Sequence, residues 1–274
     1  MKKLSFYLIT LGFILLLSAC GGSNENSEES SSGSASSDGN LYEQIKEKGV
    51  LTVGTEGTYP PYTFHDDQDK LTGYDVEVAR EVAKRLDLKV EFKETKWDSM
   101  FAGLNSKRFD MIANQVGIKP DREKKYAFST PYTYSTAVLV TNKDNKDIQS
   151  FEDLDGKTSA QSLTSNYADI AKKYGAEIQS VEGFNPAMEL IATGRVDATV
   201  NDRLSVLDYL NQKGDNVPAQ IVDKAGDASE SAMMFRQGNE ELVKAVNGAL
   251  KEMKEDGTLE NISKEWFGED VSSQ

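Results

Sequence analysis

The chain has 274 residues, a formal net charge of −14 at pH 7 and a single cysteine. Such an acidic surface would repel the phosphates of nucleic acids, so we expect no nucleic-acid partner. One cysteine cannot form an internal disulfide or a thiolate metal cluster, and we expect neither a metal nor a cofactor.

The start of the chain has the pattern of a bacterial secretory signal. Two lysines precede an apolar run over 4–17, which is too short for a stable transmembrane helix. The run ends in the residues LSAC at 17–20, which resemble the lipobox of bacterial lipoproteins. We therefore expect a signal peptide over 1–19 and a lipid on the sulfur of Cys20, where two acyl chains suffice for stable membrane anchoring. The alternative is an unmodified secreted protein with a free thiol.

The next segment, 20–40, is predicted to be a lipidated cysteine followed by a flexible linker. After Cys20 it reads GGSNENSEESSSGSASSDGN and has no apolar residue larger than alanine. Such a segment cannot bury enough surface to offset the entropy of ordering. Its r.m.s. span of roughly 25 Å would let the folded part reach a neighbouring membrane protein.

From residue 41 onward the chain alternates short β-rich runs with amphipathic helices. The first set predicts strands over 50–54, 88–92 and 110–113 and helices over 76–86 and 97–104, with Asp75 as the N-cap of the first helix. The order βαβαβ is typical of a parallel sheet with helices on both faces.

A second set of the same kind follows. It predicts strands over 157–161, 177–181 and 196–200 and helices over 165–174, 186–193 and 202–212. Extended crossovers are predicted over 134–141 and 231–236, and two helices over 239–255 and 258–266. We therefore predict an α/β fold of two lobes, with two parallel-type sheets joined by crossover hinge strands. The first lobe takes 41–136, the second 137–230, and 231–274 returns to the first.

Aromatic residues follow two strands of the first set, where ligands of open α/β sheets bind. Tyr59 lies in a turn stiffened by two prolines, and Trp97 follows the second strand. Both could form walls of a pocket. The alternatives are a turn tyrosine packed on its own lobe and a core tryptophan, and sequence position does not decide between them.

Polar residues follow the third strand, at Asn114, Gln115, Gly117 and Arg122. By position alone, Arg122 belongs to a solvated charged run. A planar guanidinium, however, gives two parallel hydrogen bonds to a carboxylate, and the backbone N–H of a glycine can approach the same ligand closely. These residues are candidates for binding an α-carboxylate.

The second set contributes Ser165 and Asp202. Ser165 stands at a strand-to-helix turn, where the helix N-terminus favours an anion. Asp202 directly follows a strand and could accept hydrogen bonds from a ligand ammonium. Each residue could equally be a plain N-cap.

Long stretches of the chain, in order, resemble one family. They are GTEGTYPPYTF from residue 54, LTGYDVEVAREVAKRL from 71, KWDSMFAGLNSKRFDMIANQVGIKPDREKKYAFSTPY from 96, GRVDATVNDRL from 194 and DGTLENISKEWFGEDV from 256. From residue 50 to its end, the chain is similar to the amino-acid-binding proteins of ATP-binding cassette importers, particularly the L-cystine-binding members. The resemblance implies a periplasmic-binding-protein-like fold and, as partners, a small amino acid and the permease and ATPase subunits of an importer. We expect a monomer.

The resemblance also implies roles for the candidate residues. Tyr59 and Trp97 would sandwich the ligand side chain, Arg122 and Ser165 would bind the carboxylate, and Asp202 would bind the ammonium. Gln115 and Gly117 would add backbone contacts. The commoner amino-acid-binding pattern has small hydroxyl residues where Asn114, Gln115 and Gly117 stand, and this departure resembles the cystine-binding subset.

Two other functions are compatible with the sequence. Some secreted dehydratases acting on prephenate or arogenate share the implied fold, but the single histidine, His65, lies in an acidic loop and no nucleophile–base pair is evident. A ligand sensor for a signalling partner is the third candidate. We expect a binding protein and not an enzyme.

Overall fold

The computed structural model describes residues 40–274, with the side chain of residue 215 excepted. The predicted signal peptide, Cys20 and the linker up to residue 39 lie outside these residues. Asn40, predicted to end the linker, is the N-cap of the first helix, and its side chain accepts a hydrogen bond from the backbone N–H of Tyr42 at 3.0 Å.

Helices α1 to α9 cover Leu41–Lys48, Tyr74–Arg85, Trp97–Asn105, Pro120–Glu123, Asn166–Lys173, Phe184–Ala192, Arg203–Lys213, Glu240–Glu255 and Thr258–Phe267. Strands β1 to β12 cover Val50–Thr55, Thr58–Tyr59, Thr63–His65, Leu71–Thr72, Lys89–Glu94, Met111–Gly117, Tyr126–Phe128, Thr133–Asn142, Thr158–Gln161, Glu177–Ser180, Ala198–Asp202 and Ala219–Arg236. Within residues 40–274, no helix combines the length and apolar character needed to cross a membrane.

Two groups of parallel strands form the ends of one sheet. Its order is β10-β9-β11-β8-β12-β6-β1-β5, and β7 also pairs with β12. The strands β5, β1 and β6 run parallel to one another, as do β10, β9 and β11. This confirms the predicted α/β fold with parallel groups joined by crossover strands.

The two crossover strands, β8 and β12, join the parallel groups into one sheet. Strand β12 has 18 residues and pairs antiparallel with β8 and then with β6. Its predicted part, 231–236, is the buried end. The preceding residues 219–230 are largely half-buried or exposed and polar, so hydrophobic patterning did not reveal them.

One local prediction was wrong, and one helix was not predicted. Asp75 is not the N-cap of α2: Gly73 holds that position, and Asp75 lies in the first turn, fully buried. Its carboxylate accepts hydrogen bonds from the backbone N–H and side-chain Nε2 of Gln115, both at 2.7 Å. Helix α1 was not predicted, although it is bounded by the N-cap Asn40 and by Gly49 in the left-handed conformation, φ 65°.

Packing places the last two helices against α2. The indole Nε1 of Trp266 donates to Glu77 at 2.9 Å, and the guanidinium of Arg85 pairs with Asp256 at 2.7 Å. The carboxyl-terminal helices thus pack on α2, which itself lies against β5 and β6.

Candidate functional site

A cavity lies where residues that follow β1 and β5 and residues of β6 meet residues that follow β9 and β10 and the end of β11. Five of the eight predicted ligand-binding residues line it: Tyr59, Trp97, Asn114, Gln115 and Ser165. The remaining lining residues are Glu56, Ser162, Asn166, Tyr167, Gly183, Phe184 and Asn201. Aromatic rings, amides, hydroxyls and one carboxylate therefore face a common space.

Glu56 supplies that carboxylate, and the sequence prediction omitted it. Asn114 Nδ2 donates to its carboxylate at 2.7 Å, and the backbone N–H of Glu56 donates to Asn114 Oδ1 at 2.7 Å. Burial raises the pKa of Glu56 to about 7, although the Asn114 hydrogen bond opposes the shift. Its place directly after β1 is the signal that could have identified it, since Tyr59 was chosen on that ground.

The two predicted aromatic walls are both buried. The hydroxyl of Tyr59 donates to Asn201 Oδ1, in segment 137–230, at 2.8 Å. The Tyr59 ring meets the Phe184 ring edge to face, with 5.9 Å between the ring centres. Trp97 is 8% exposed, and its ring packs perpendicular to that of Phe101 with 5.4 Å between the ring centres. Both rings line the cavity, so the structure brings together the two residues predicted to hold a ligand side chain.

Arg122 is buried but does not line this cavity. Its guanidinium donates to the carbonyl oxygens of Gly117 and Thr164, each at 2.8 Å, and lies 5.4 Å from the centre of the Trp97 ring. Burial lowers the pKa of Arg122. Arg122 is thus hydrogen-bonded to Gly117 within segment 41–136 and to Thr164 in segment 137–230. The predicted ligand contacts of Arg122 and Gly117 stay predictions.

Ser165 and Asp202 are both N-caps. Ser165 Oγ accepts from the backbone N–H of Ala168 at 3.0 Å while the residue also lines the cavity. Asp202 is 3% exposed and caps α7 by accepting from the N–H groups of Leu204 and Ser205.

The carboxylate of Asp202 has further partners. It accepts from the hydroxyl of Tyr62 at 2.8 Å and from that of Tyr167 at 3.4 Å. Burial raises the pKa of Asp202, while the hydrogen bond from Tyr62 and those of the cap oppose the shift. Asp202 is not part of the cavity lining. The hydrogen bonds from Tyr62, Leu204 and Ser205 all go to Oδ1, whereas Oδ2 accepts the long one from Tyr167, so Oδ2 keeps more acceptor capacity than Oδ1.

A second cavity, with a volume of about 450 Å³, adjoins the first. The two share Glu56, Trp97, Ser162, Gly183 and Phe184. The second is otherwise lined by Thr58, Glu94, Thr95, Lys96, Asp98, Ser99, Glu182, Asn185 and Pro186. The combined space is thus elongated, with an inner end of mostly neutral polar groups and an outer end rich in charge.

Several hydrogen bonds and ion pairs cross the cleft. They join segment 41–136 to segment 137–230 through Tyr59–Asn201, Tyr62–Asp202, Asp98–Thr164, Lys119–Asp169, Lys96–Glu182 and Arg122–Thr164. These contacts hold the two segments together around the cavity.

Comparisons with known proteins agree on one family. A family model described as bacterial extracellular solute-binding proteins, family 3, matches residues 51–269. The L-cystine-binding protein TcyA of Bacillus subtilis (strain 168) is 59% identical over 273 residues, covering 99% of this chain and all of that protein.

Solved structures are also similar. An ancestral arginine-binding protein bound to glutamine is 38% identical with a TM-score of 0.77, over 81% of this chain and 99% of the other. The L-cystine solute receptor of Neisseria gonorrhoeae, in its unliganded open conformation, is 48% identical with a TM-score of 0.57, over 86% of this chain and all of the other.

Proposed function

Because the chain belongs to the family 3 bacterial extracellular solute-binding proteins, we propose that it is the substrate-binding lipoprotein of an ATP-binding cassette amino-acid importer, with L-cystine as its ligand. The observation that carries the proposal is the cavity between Tyr59 and Trp97, with Glu56 and Ser165 among its lining. Relatives that are named for binding L-cystine support the choice of ligand.

The chemistry of the lining suits an α-amino acid. Ser165 stands at the N-terminus of α5, where helix N–H groups and the helix dipole favour a carboxylate. Glu56, as the carboxylate in the lining, would take the ammonium, and the side chain would lie between the two aromatic rings. Asn114 and Gln115 would complete the polar contacts.

The roles implied by the family resemblance for Gly117, Arg122 and Asp202 belong to the same proposal. Arg122 already holds Gly117 and Thr164, so it would act both as a carboxylate partner and as a link between the lobes. Asp202 would bind the ammonium through Oδ2, whose hydrogen bond from Tyr167 is long at 3.4 Å. Glu56 and Asp202 are therefore competing candidates for one role, which mutagenesis can separate.

We further propose that the ligand closes the cleft between lobe 1 (41–136 and 231–274) and lobe 2 (137–230). The structure is more similar in shape to the glutamine-bound ancestral protein than to the open, unliganded cystine receptor, although the latter is more similar in sequence. The hydrogen bonds across the cleft agree with a closed form. Affinity and hinge closure would then be the same event.

The proposal places the protein outside the cytoplasm, which the family supports. A lipid on Cys20 would hold it at the membrane, and the linker would let it reach the permease. It would release its ligand unchanged, without catalysis.

The test is a thermal-shift screen of the purified chain against the twenty amino acids and L-cystine, followed by calorimetry. A ligand present at 100 times its dissociation constant adds about 2.7 kcal/mol to the free energy of unfolding. We expect the largest shift with L-cystine. Stabilisation by no amino acid, or consumption of prephenate by the protein, would contradict the proposal.

A further inference from the structure

We propose that the second cavity is a subsite for the far end of a ligand that carries two α-amino-acid head groups, as L-cystine does. This inference rests on the proposed function and extends it to the other half of the ligand. It assigns a ligand-binding role to Lys96 and Glu182, whose ion pair has so far served only as a contact between the two segments.

The shape of the site suits a ligand with two head groups. The second cavity shares five lining residues with the inner one and has a volume of about 450 Å³. A ligand with a single head group in the inner cavity would place its side chain near Trp97 and leave the outer space to water. A ligand that repeats its head group beyond a short linker would extend past Trp97 into that space.

The charges of the outer lining suit an amino-acid head group. Lys96 comes from the start of α3 and Glu182 from the residues before α6, so the two approach the outer cavity from opposite sides of the cleft. An amino-acid head group carries one carboxylate and one ammonium. A lysine and a glutamate facing the same space match those two charges.

The side chains of Lys96 and Glu182 are available to a ligand. Other carboxylates of the lining have partners of their own: Glu94 pairs with His65 at 3.3 Å, and Asp98 accepts from the hydroxyl of Thr164 at 2.7 Å. Lys96 forms an ion pair with Glu182, and both side chains are 67% exposed. An exposed pair of this kind contributes only about 0 to 1 kcal/mol, so a zwitterionic head group could insert between its members at small cost.

The experiment compares two ligands by calorimetry on the whole chain: L-cystine, and the mixed disulfide of L-cysteine and methanethiol, which lacks the second head group. We expect Lys96→Met to weaken L-cystine binding about tenfold and to leave the one-headed ligand within twofold, since a hydrogen bond to a charged group is worth about that factor. Glu182→Gln should behave in the same way. Lys93→Met is the matched control, because Lys93 pairs with Glu91 and does not line either cavity.

The outcomes separate this inference from the proposed function. Equal losses for both ligands, or no loss for either, would overturn the subsite. Wild-type protein that binds one-headed amino acids but not L-cystine would also overturn it while leaving an amino-acid-binding function in place. Wild-type protein that binds no amino acid at all would overturn both. Circular dichroism melts of each variant would show that the loss is not one of folding.

Discussion

If Glu56 binds the ligand ammonium, as proposed above, the affinity for an amino acid should depend on pH. Burial raises the pKa of Glu56 to about 7, and only the ionised carboxylate attracts an ammonium. Affinity should therefore fall as pH falls through 7. In Glu56→Gln, which keeps the size and a hydrogen-bonding oxygen but has no charge, affinity should be lower and should lose this pH dependence.

The magnitude follows from the ionised fraction. With a pKa of about 7, that fraction falls from about one half at pH 7 to about one hundredth at pH 5, while the ligand ammonium stays protonated. If the bound ammonium keeps Glu56 ionised, affinity should fall about fiftyfold between these two values. The stability of the unliganded protein should change in the opposite direction. A carboxyl group whose folded pKa is raised stabilises the fold fully below its unfolded pKa, and this contribution is lost as pH rises through 7.

The assay is calorimetric titration with L-cystine between pH 5 and pH 7 at constant ionic strength, on wild type, Glu56→Gln and Asp202→Asn. A Glu56→Gln protein that keeps the wild-type pH profile would refute Glu56 as the ammonium partner. If Asp202→Asn then removed the dependence, the ammonium would lie at Asp202, as the family resemblance implies. Thermal melts of unliganded Glu56→Gln supply the second measurement, since its stability should exceed that of wild type more at pH 8 than at pH 5.

Arg122→Ala should cost on the order of 2 to 5 kcal/mol of binding free energy by calorimetry, because it removes a buried cation that is hydrogen-bonded across to Thr164, and a change below threefold would contradict its proposed role. Tyr59→Phe removes the hydroxyl that donates to Asn201 and should weaken binding about two- to tenfold; unchanged affinity would mean that this bond adds nothing to the closed form. Cys20→Ser should move the protein from the membrane fraction to the soluble fraction, and a mutant that stayed with the membrane would contradict the lipid anchor. L-cystine should reduce the radius of gyration in solution scattering and Asp202→Ala should diminish that change, whereas tight binding without compaction would argue against closure.

Hydrophobic periodicity by itself determined most of the element order. The strand over 50–54 and the helix over 97–104 lie close to β1 and α3, because burial of one face leaves a local pattern in the chain. The rule that ligands bind at strand ends then selected Tyr59, Trp97, Asn114, Gln115 and Ser165, all of which line the cavity. These residues could be chosen because their position relative to a strand is itself local.

Only the tertiary structure decided which charged groups face the cavity. Glu56 and Asp202 each follow a strand or end one, and nothing local separates them. Glu56 is left in the lining beside Asn114, whereas Asp202 is enclosed by Tyr62 and Tyr167, residues 140 and 35 positions away along the chain. A carboxylate's burial and its hydrogen-bond donors depend on such distant neighbours, which periodicity does not encode.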